Sequence, residues 1–188
     1  MARTTMSDLI AYVRVLIDDE GGTPVFTDDE IQAKLDANRT KVVQAKLIPH
    51  PINTPSGQSC IDFTYPAKMW EGGNATTLYD KSYNVIAEMT YEEDAYEGWW
   101  VFSTNQINNM PLYITGWVYD VFKVAVQLLE AWAAKLKLEY SFTTSGVQAG
   151  THSSNLSQKV KQVLALADDL RQYMKVKTVP SYRTDLEP

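Results

Sequence analysis

The residue types that most often perform chemistry are few in this chain, and their spacing does not assemble a catalytic site. Histidine occurs twice, at His50 and His152, and each lies in a segment without apolar periodicity. Neither has a second histidine at the spacing that metal ligands require. His50 stands between two prolines, where an exposed side chain is the usual outcome. We therefore expect neither histidine to act as a general base or a metal ligand.

Carboxylates are dense at two places, residues 18–20 and residues 28–30, each reading Asp-Asp-Glu. Oxygen-rich groups of this kind can hold a hard cation, but neither has the spacing of a calcium-binding loop. The second group is explained by the preference for negative charge at a helix N-terminus, and the first by a solvated helix end. We predict no metal ion at either place.

The single cysteine, Cys60, excludes an intrachain disulfide and a cysteine-based zinc site, and we expect it to be a small, half-buried strand residue. The sequence holds no glycine-rich phosphate loop, no nucleophile elbow and no Cys–His pairing. We predict that the protein is not an enzyme and uses no cofactor.

The composition is that of an ordinary globular protein. The chain has 188 residues, 45% hydrophobic and 21% charged, with a formal net charge of −6. A global field of this sign repels nucleic acid, although local basic patches remain open. No apolar run approaches the roughly 20 residues that span a bilayer, and we find no signal peptide. We expect a protein that is made in a reducing cytosol and does not bind membranes.

Both ends of the chain show helical patterns. A first helix begins at Thr5 or Ser7. The second has the clearest start: Thr27 and Glu30 form a capping-box pair, and Phe26 with Ile31 forms a hydrophobic staple. We expect the second helix to end near residue 47, ahead of two prolines.

Residues 117–174 hold two long amphipathic patterns. The apolar stripes recur with a period of 3.6 residues and require burial against another element. Helix three should run from about residue 120 to 140, and helix four from about 154 to 175. We predict that the following residues form a core or an interface: Leu128, Leu129, Trp132, Leu136, Leu156, Val160, Val163 and Leu170.

Between these regions, residues 49–116 read as strands punctuated by proline and glycine, namely 59–65, 83–90, 99–103 and 112–118, with an exposed acidic turn at 92–97. The patterns together predict an α+β fold. An antiparallel bundle of about four helices (residues 1–48 and 117–175) receives a small antiparallel β lobe (49–116) between helix two and helix three. An extended tail (176–188) follows.

Aromatic residues are crowded in the predicted β lobe. Trp99 and Trp100 are adjacent and must face opposite sides of a strand. Tryptophan is enriched both in interface hot spots and in the thin cores of small sheets, so a contact surface and a core filler are equally open interpretations.

Five segments combine helix starts with core stripes in a specific order: residues 9–17, 26–31, 113–120, 128–136 and 157–167. Together they resemble the head–tail connector (adaptor) proteins of long-tailed double-stranded DNA bacteriophages. The likeness covers the helices at both ends, a little over half of the chain. The β lobe is larger than a minimal connector needs.

The resemblance implies a structural protein of the virion neck that is assembled in the cytoplasm of a bacterial host. It implies a ring of about twelve copies, built by a contact that closes by rotation. One face of the ring would dock on the portal, and the other would receive a head-closure (stopper) protein or the tail. Double-stranded DNA would pass through the channel without specific binding.

Two alternatives remain open at this point. The tail, with Lys175, Lys177, Tyr182 and Arg183, is either a portal-docking arm or a disordered end. The whole chain could instead be a carbohydrate- or peptide-binding module, with the tryptophans as its binding surface and the helices as a stalk.

Overall fold

The computed structural model describes residues 2–21, 24–55, 57–87, 90–144 and 152–174. The described residues up to Val124 form one compact unit, and those from Ala125 onward form a second. A short 3-10 helix at Thr4–Met6 precedes the first α-helix. The main elements are α1 Ser7–Leu16, α2 Asp28–Ala37, β1 Arg39–Lys46, β2 Ile48–Thr54, β3 Gly57–Thr64, β4 Thr77–Tyr79, β5 Tyr91–Asp94, β6 Trp99–Phe102, β7 Tyr113–Tyr119, α3 Val121–Thr144 and α4 His152–Met174.

The predicted fold, a bundle of about four helices with a small β lobe, is wrong. Among the described residues there are four α-helices and two antiparallel sheets with seven strands, and strands dominate the N-terminal half. One sheet has the order β1-β7-β4, and the other has the order β2-β3-β6-β5. The β structure is therefore a principal body of the protein and not an appended lobe.

The main source of this error is residues 39–47, which we predicted as the end of the second helix. The helix ends at Ala37, and the Asn38 side chain caps it by donating to the Lys34 carbonyl oxygen at 2.9 Å. Strand β1 follows at once and pairs with β7. The β-branched residues Thr40 and Val42 favour this extended backbone, and long-range strand pairing overrides the local helical pattern.

The predicted strand 83–90 is wrong over its described residues, 83–87 and 90, where Val85 forms an isolated bridge to Tyr79 and not a strand. The acidic turn predicted at 92–97 begins as strand β5. A tight turn replaces the start of the predicted strand, because the Asp80 carboxylate accepts hydrogen bonds from the backbone nitrogens of Ser82 and Asn84 at 2.8 and 2.9 Å. Tyr83 adopts a positive φ of 61° there. An aspartate that bonds to the backbone two residues onward is a turn signal, and it decides the local structure here.

The start of α2 is as predicted. The Thr27 hydroxyl accepts from the Glu30 backbone nitrogen at 3.2 Å, and the Glu30 carboxylate accepts from the Thr27 backbone nitrogen at 2.7 Å. The capping box is therefore complete. Asp120 likewise accepts from the Lys123 backbone nitrogen at 3.0 Å in the first turn of α3.

The inner faces of the two sheets form one hydrophobic core. A short segment around Trp70 bonds to both sheets: the Trp70 nitrogen donates to Ala95, and the Tyr119 nitrogen donates to Met69. A side chain at Gly116 would lie 3.2 Å from the Trp70 ring, so glycine permits this close approach. The buried cluster consists of Leu47, Cys60, Phe63, Trp70, Leu78, Trp100, Phe102, Leu112 and Ile114.

Candidate functional site

The outer face of the three-stranded sheet is lined by cations and aromatic rings. Lys41 lies directly opposite Trp117, and opposite residues in an antiparallel pair share a face. The Arg39 guanidinium carbon lies 4.1 Å from the centre of the Trp117 ring, and Lys41 Nζ lies 5.7 Å from it. Both cations therefore interact with one indole. We name this surface the basic-aromatic face, which comprises Arg39, Lys41, Lys46, Tyr79, Tyr83, Tyr113 and Trp117.

Tyr83 extends the basic-aromatic face beyond the strands. Its ring stacks on that of Tyr113, with centroids 4.9 Å apart and an interplanar angle of 20°. A side-chain hydrogen bond between the two residues raises the pKa of Tyr83. Lys46 lies opposite Tyr113 in the register and is exposed. The face thus presents positive charge and aromatic area together.

The outer face of the four-stranded sheet has the opposite character. One cross-strand row runs through Ile48, Thr64, Trp99 and Asp94. Trp99 is 44% exposed and Ile48 is 47% exposed, so this row places apolar area in solvent beside a carboxylate. We name this surface the acidic-tryptophan face, which comprises Ile48, His50, Asp62, Thr64, Glu92, Asp94, Trp99 and Val101.

The second row of the acidic-tryptophan face runs through His50, Asp62, Val101 and Glu92. His50 Nε2 lies 2.8 Å from the Thr64 hydroxyl oxygen. The histidine therefore takes part in a surface hydrogen bond between strands. Glu92 is exposed at the edge of the sheet, where its carboxylate contributes negative charge.

Trp99 and Trp100 lie on opposite sides of β6, as strand alternation requires. Trp100 is fully buried and packs edge-to-face against Trp70, with ring centroids 5.6 Å apart. Its indole nitrogen has no hydrogen-bond partner among the described residues. Trp100 therefore belongs to the core and not to a contact surface, whereas Trp99 remains available for contact.

A buried carboxylate joins the N-terminal segment to the β structure. Glu71 accepts hydrogen bonds from the Tyr119 hydroxyl at 2.5 Å, from the Thr5 hydroxyl at 2.7 Å and from Arg3 Nε at 3.1 Å. Arg3 also pairs with Asp36 at 2.8 Å. Burial and the hydrogen bond to Glu71 raise the pKa of Tyr119 to about 12. These groups are engaged with one another, which makes the cluster a structural joint.

The two acidic clusters that could have held a cation, residues 18–20 and residues 28–30, each contain an aspartate that pairs with Arg14. Asp19 is buried and accepts from the backbone nitrogen of Val25 at 2.8 Å and from Arg14 at 3.0 Å. Arg14 also pairs with Asp28 at 2.6 Å. In the described part of the chain, no group of three or more His, Cys, Asp or Glu residues is arranged to hold a metal ion.

Burial raises the pKa of the Cys60 thiol.

The residues predicted for the core or interface of the two long helices are buried to different degrees. Lys159 Nζ on α4 lies 5.3 Å from the centre of the Trp132 ring on α3, and Arg171 on α4 forms ion pairs with Glu130 and Asp168. The contacts of Lys159 with Trp132 and of Arg171 with Glu130 join the two helices, whereas Asp168 lies on α4 itself. The buried members of the predicted set are Leu128, Leu129, Leu136, Val160, Val163 and Leu170, and the half-buried members are Trp132 and Leu156.

The remaining predicted site residues, Lys175, Lys177, Tyr182 and Arg183, lie outside the described residues. His152 is the first residue of α4. The sequence pattern predicts neither outer sheet face, because each face depends on the pairing of distant strands. The only local signal was the alternation around Trp99.

The chain matches no protein-family model, no curated protein sequence and no solved structure. Within the described ranges, no helix combines the length and apolar character needed to span a membrane.

Proposed function

We propose that this protein is a structural adaptor of the phage neck, which forms a ring between the portal of the head and a head-closure or tail protein. In this function it performs no turnover. It holds neighbouring proteins in fixed positions around a channel through which double-stranded DNA passes, and it resides in the virion neck.

The observation that carries the proposal is the division of one chain into two compact units of different construction. The first contains two sheets with α1 and α2, and the second contains α3 from Ala125 onward together with α4. An adaptor must bind different neighbours at once, and two units supply separate surfaces for this purpose. At 1.5 Å per residue, helices of 24 and 23 residues each extend about 35 Å.

The use of buried charge supports the same function. Asp19 and Glu71 are the buried carboxylates of the described chain, and each is surrounded by donors from separate segments. A catalytic carboxylate needs access to substrate, whereas these groups hold loops and helices in place. Rigid joints of this kind suit a protein whose function is to keep a fixed geometry under load.

The net charge of −6 is compatible with a channel through which DNA must slide. A wall of the same sign as the phosphate backbone does not retain DNA, because binding depends on cations that displace its counterions. In the proposed ring, DNA therefore passes through the channel and is not bound as a ligand.

The test is a phage that lacks this protein, examined by electron microscopy and by mass spectrometry of purified particles. We expect DNA-filled heads and free tails that fail to join, and wild-type particles that contain the protein in several copies and in contact with portal. Supplying the wild-type chain in trans should restore tailed particles. Normal tailed particles without the protein, or its absence from virions, would refute the proposal.

One observation favours the second candidate, a carbohydrate- or peptide-binding module. Trp99 is exposed on the outer face of a sheet, where a sugar ring or a peptide side chain can stack on it. In that case oligosaccharides or peptides would change the tryptophan fluorescence of the wild type, and Trp99→Ala would remove this change. The adaptor proposal expects no such change and expects Trp99→Ala to impair assembly.

A further inference from the structure

The two outer sheet faces differ in charge on the same chain. The basic-aromatic face carries Arg39, Lys41 and Lys46, and strand β1, which supplies them, contains no acidic residue. The acidic-tryptophan face carries Asp62, Glu92 and Asp94. Each face also offers aromatic area, which is the side-chain type that contributes most to protein contacts. One chain therefore presents two chemically complementary surfaces.

We propose that the basic-aromatic face of one copy binds the acidic-tryptophan face of the next copy. This inference rests on the ring proposed above and names the contact that builds it. Charge complementarity selects a second copy as the partner, because each face meets in the neighbour the opposite charge and further aromatic or apolar area.

The charge pattern also decides the symmetry of this contact. A two-fold dimer that used either face alone would bring like charges together, which disfavours it. A contact between two different faces leaves one free face at each end and so adds further copies. Such a head-to-tail contact closes into a ring when its rotation allows closure.

Nucleic acid is the other candidate for the basic-aromatic face, and the geometry disfavours it. A base-stacking site needs an open aromatic ring, and the Trp117 ring is not open, because Arg39 and Lys41 already lie against it. Arg39 is in addition paired with Asp36 at 3.1 Å. The Arg39 charge is thus partly neutralised and the Trp117 indole is occupied, whereas exposed Lys41 can still meet a carboxylate at its outer side.

The first test reverses charges in the full chain and measures self-association by sedimentation over a wide concentration range at low salt. Lys41→Glu and Glu92→Lys should each weaken association about tenfold or more, because each places like charges in contact. The double variant should recover association to within about threefold of the wild type. Lys34→Glu, the same change at an exposed position on α2, is the matched control and should have no effect.

Lys41→Gln separates charge from packing. It retains most of the side-chain stem over Trp117, so its effect on association should be smaller than that of Lys41→Glu. All variants should unfold at the wild-type temperature to within a few degrees, which shows that weaker association does not arise from unfolding.

The second test is a disulfide ladder. A chain with Lys41→Cys and Glu92→Cys should form linked species larger than dimers on oxidation, because each copy then joins two neighbours. Either change alone should give dimers at most, and Lys34→Cys with Glu92→Cys should give no ladder. The native Cys60 is buried and remains in place in all variants.

The outcomes separate the contact from the proposed function. A wild-type chain that stays monomeric at every concentration and a double-cysteine chain without a ladder would overturn the contact. So would single charge reversals that leave association unchanged, or a Lys41→Glu chain that loses DNA binding instead of self-association. The adaptor function fails only if the protein is absent from particles or dispensable for joining heads to tails.

Discussion

The Tyr119 hydroxyl donates a hydrogen bond of 2.5 Å to the Glu71 carboxylate, and both residues are almost completely buried. Glu71 lies in the segment that connects β3 to β4, whereas Tyr119 is the last residue of β7. The hydrogen bond therefore fixes this connecting segment to the sheet immediately before α3. Arg3 and Thr5 complete the surroundings of the carboxylate. The N-terminus, the connecting segment and the central strand of one sheet thus meet at a single charge.

Removal of the Tyr119 hydroxyl should destabilise the protein. Tyr119→Phe leaves Glu71 with one donor fewer in a buried position, and hydrogen bonds to charged groups contribute about 1.5–3 kcal/mol. We expect a loss of this size in the free energy of unfolding, measured by urea denaturation. Tyr79→Phe, at a half-buried position on the same sheet, is the control and should cost less than about 1 kcal/mol. Equal losses in the two variants would contradict this account.

The same bond should make stability depend on alkaline pH. The pKa of Tyr119 rises from its ordinary value of 10.0 to about 12 in the folded protein. A group with a raised folded pKa contributes stability that is complete below its unfolded pKa and is lost as pH rises through the folded pKa. The stability difference between the wild type and Tyr119→Phe should therefore decline between about pH 10 and pH 12. A difference that stays constant across this range would show that another tyrosine dominates the alkaline transition.

Asp19 and Asp28 both pair with Arg14, but they differ in burial, with side-chain exposures of 3% and 60%. Asp19→Ala should cost about 2–4 kcal/mol, because it removes a buried partner of Arg14 and leaves two backbone nitrogens without their acceptor. Asp28→Ala should cost less than about 1 kcal/mol, as is usual for an exposed ion pair. Thermal unfolding of the two variants compares them directly. A larger effect at Asp28 would refute the assignment of Asp19 as the structural partner.

Leu128 tests the buried stripe of α3. It is 1% exposed, whereas Ala134 on the same helix is exposed. Leu128→Asp should abolish soluble folding, because it places an unpaired charge in a buried position. Ala134→Asp should express and unfold like the wild type to within about 1 kcal/mol. Soluble yield and circular dichroism distinguish the two results, and normal folding of Leu128→Asp would show that the wrong helix face was assigned.

Features that depend on a few neighbouring residues followed from the sequence. The capping box at Thr27 and Glu30, the strand around Ile114 and the start of α3 near Asp120 all have local signals. Trp99 and Trp100 also point to opposite sides of their strand, because a strand alternates with a period of two. In each case the physical cause acts within about four residues along the chain.

Strand β1 shows what the sequence alone did not determine. Residues 39–46 continue an amphipathic pattern that is compatible with a helix, yet they pair with β7, more than 65 residues further along the chain. The energy of that pairing comes from backbone hydrogen bonds and from contacts such as Arg39 on Trp117. A local window contains neither partner, so local propensity predicts the wrong element.

The two proposed contact faces have the same origin. Only the tertiary structure brings Glu92 into register with Val101 and Asp62, or sets Lys41 opposite Trp117. Composition determined the net negative charge, and periodicity determined the long helices. Strand pairing alone decided how that charge is divided between two surfaces, because the register of a sheet is a long-range property that sequence spacing does not specify.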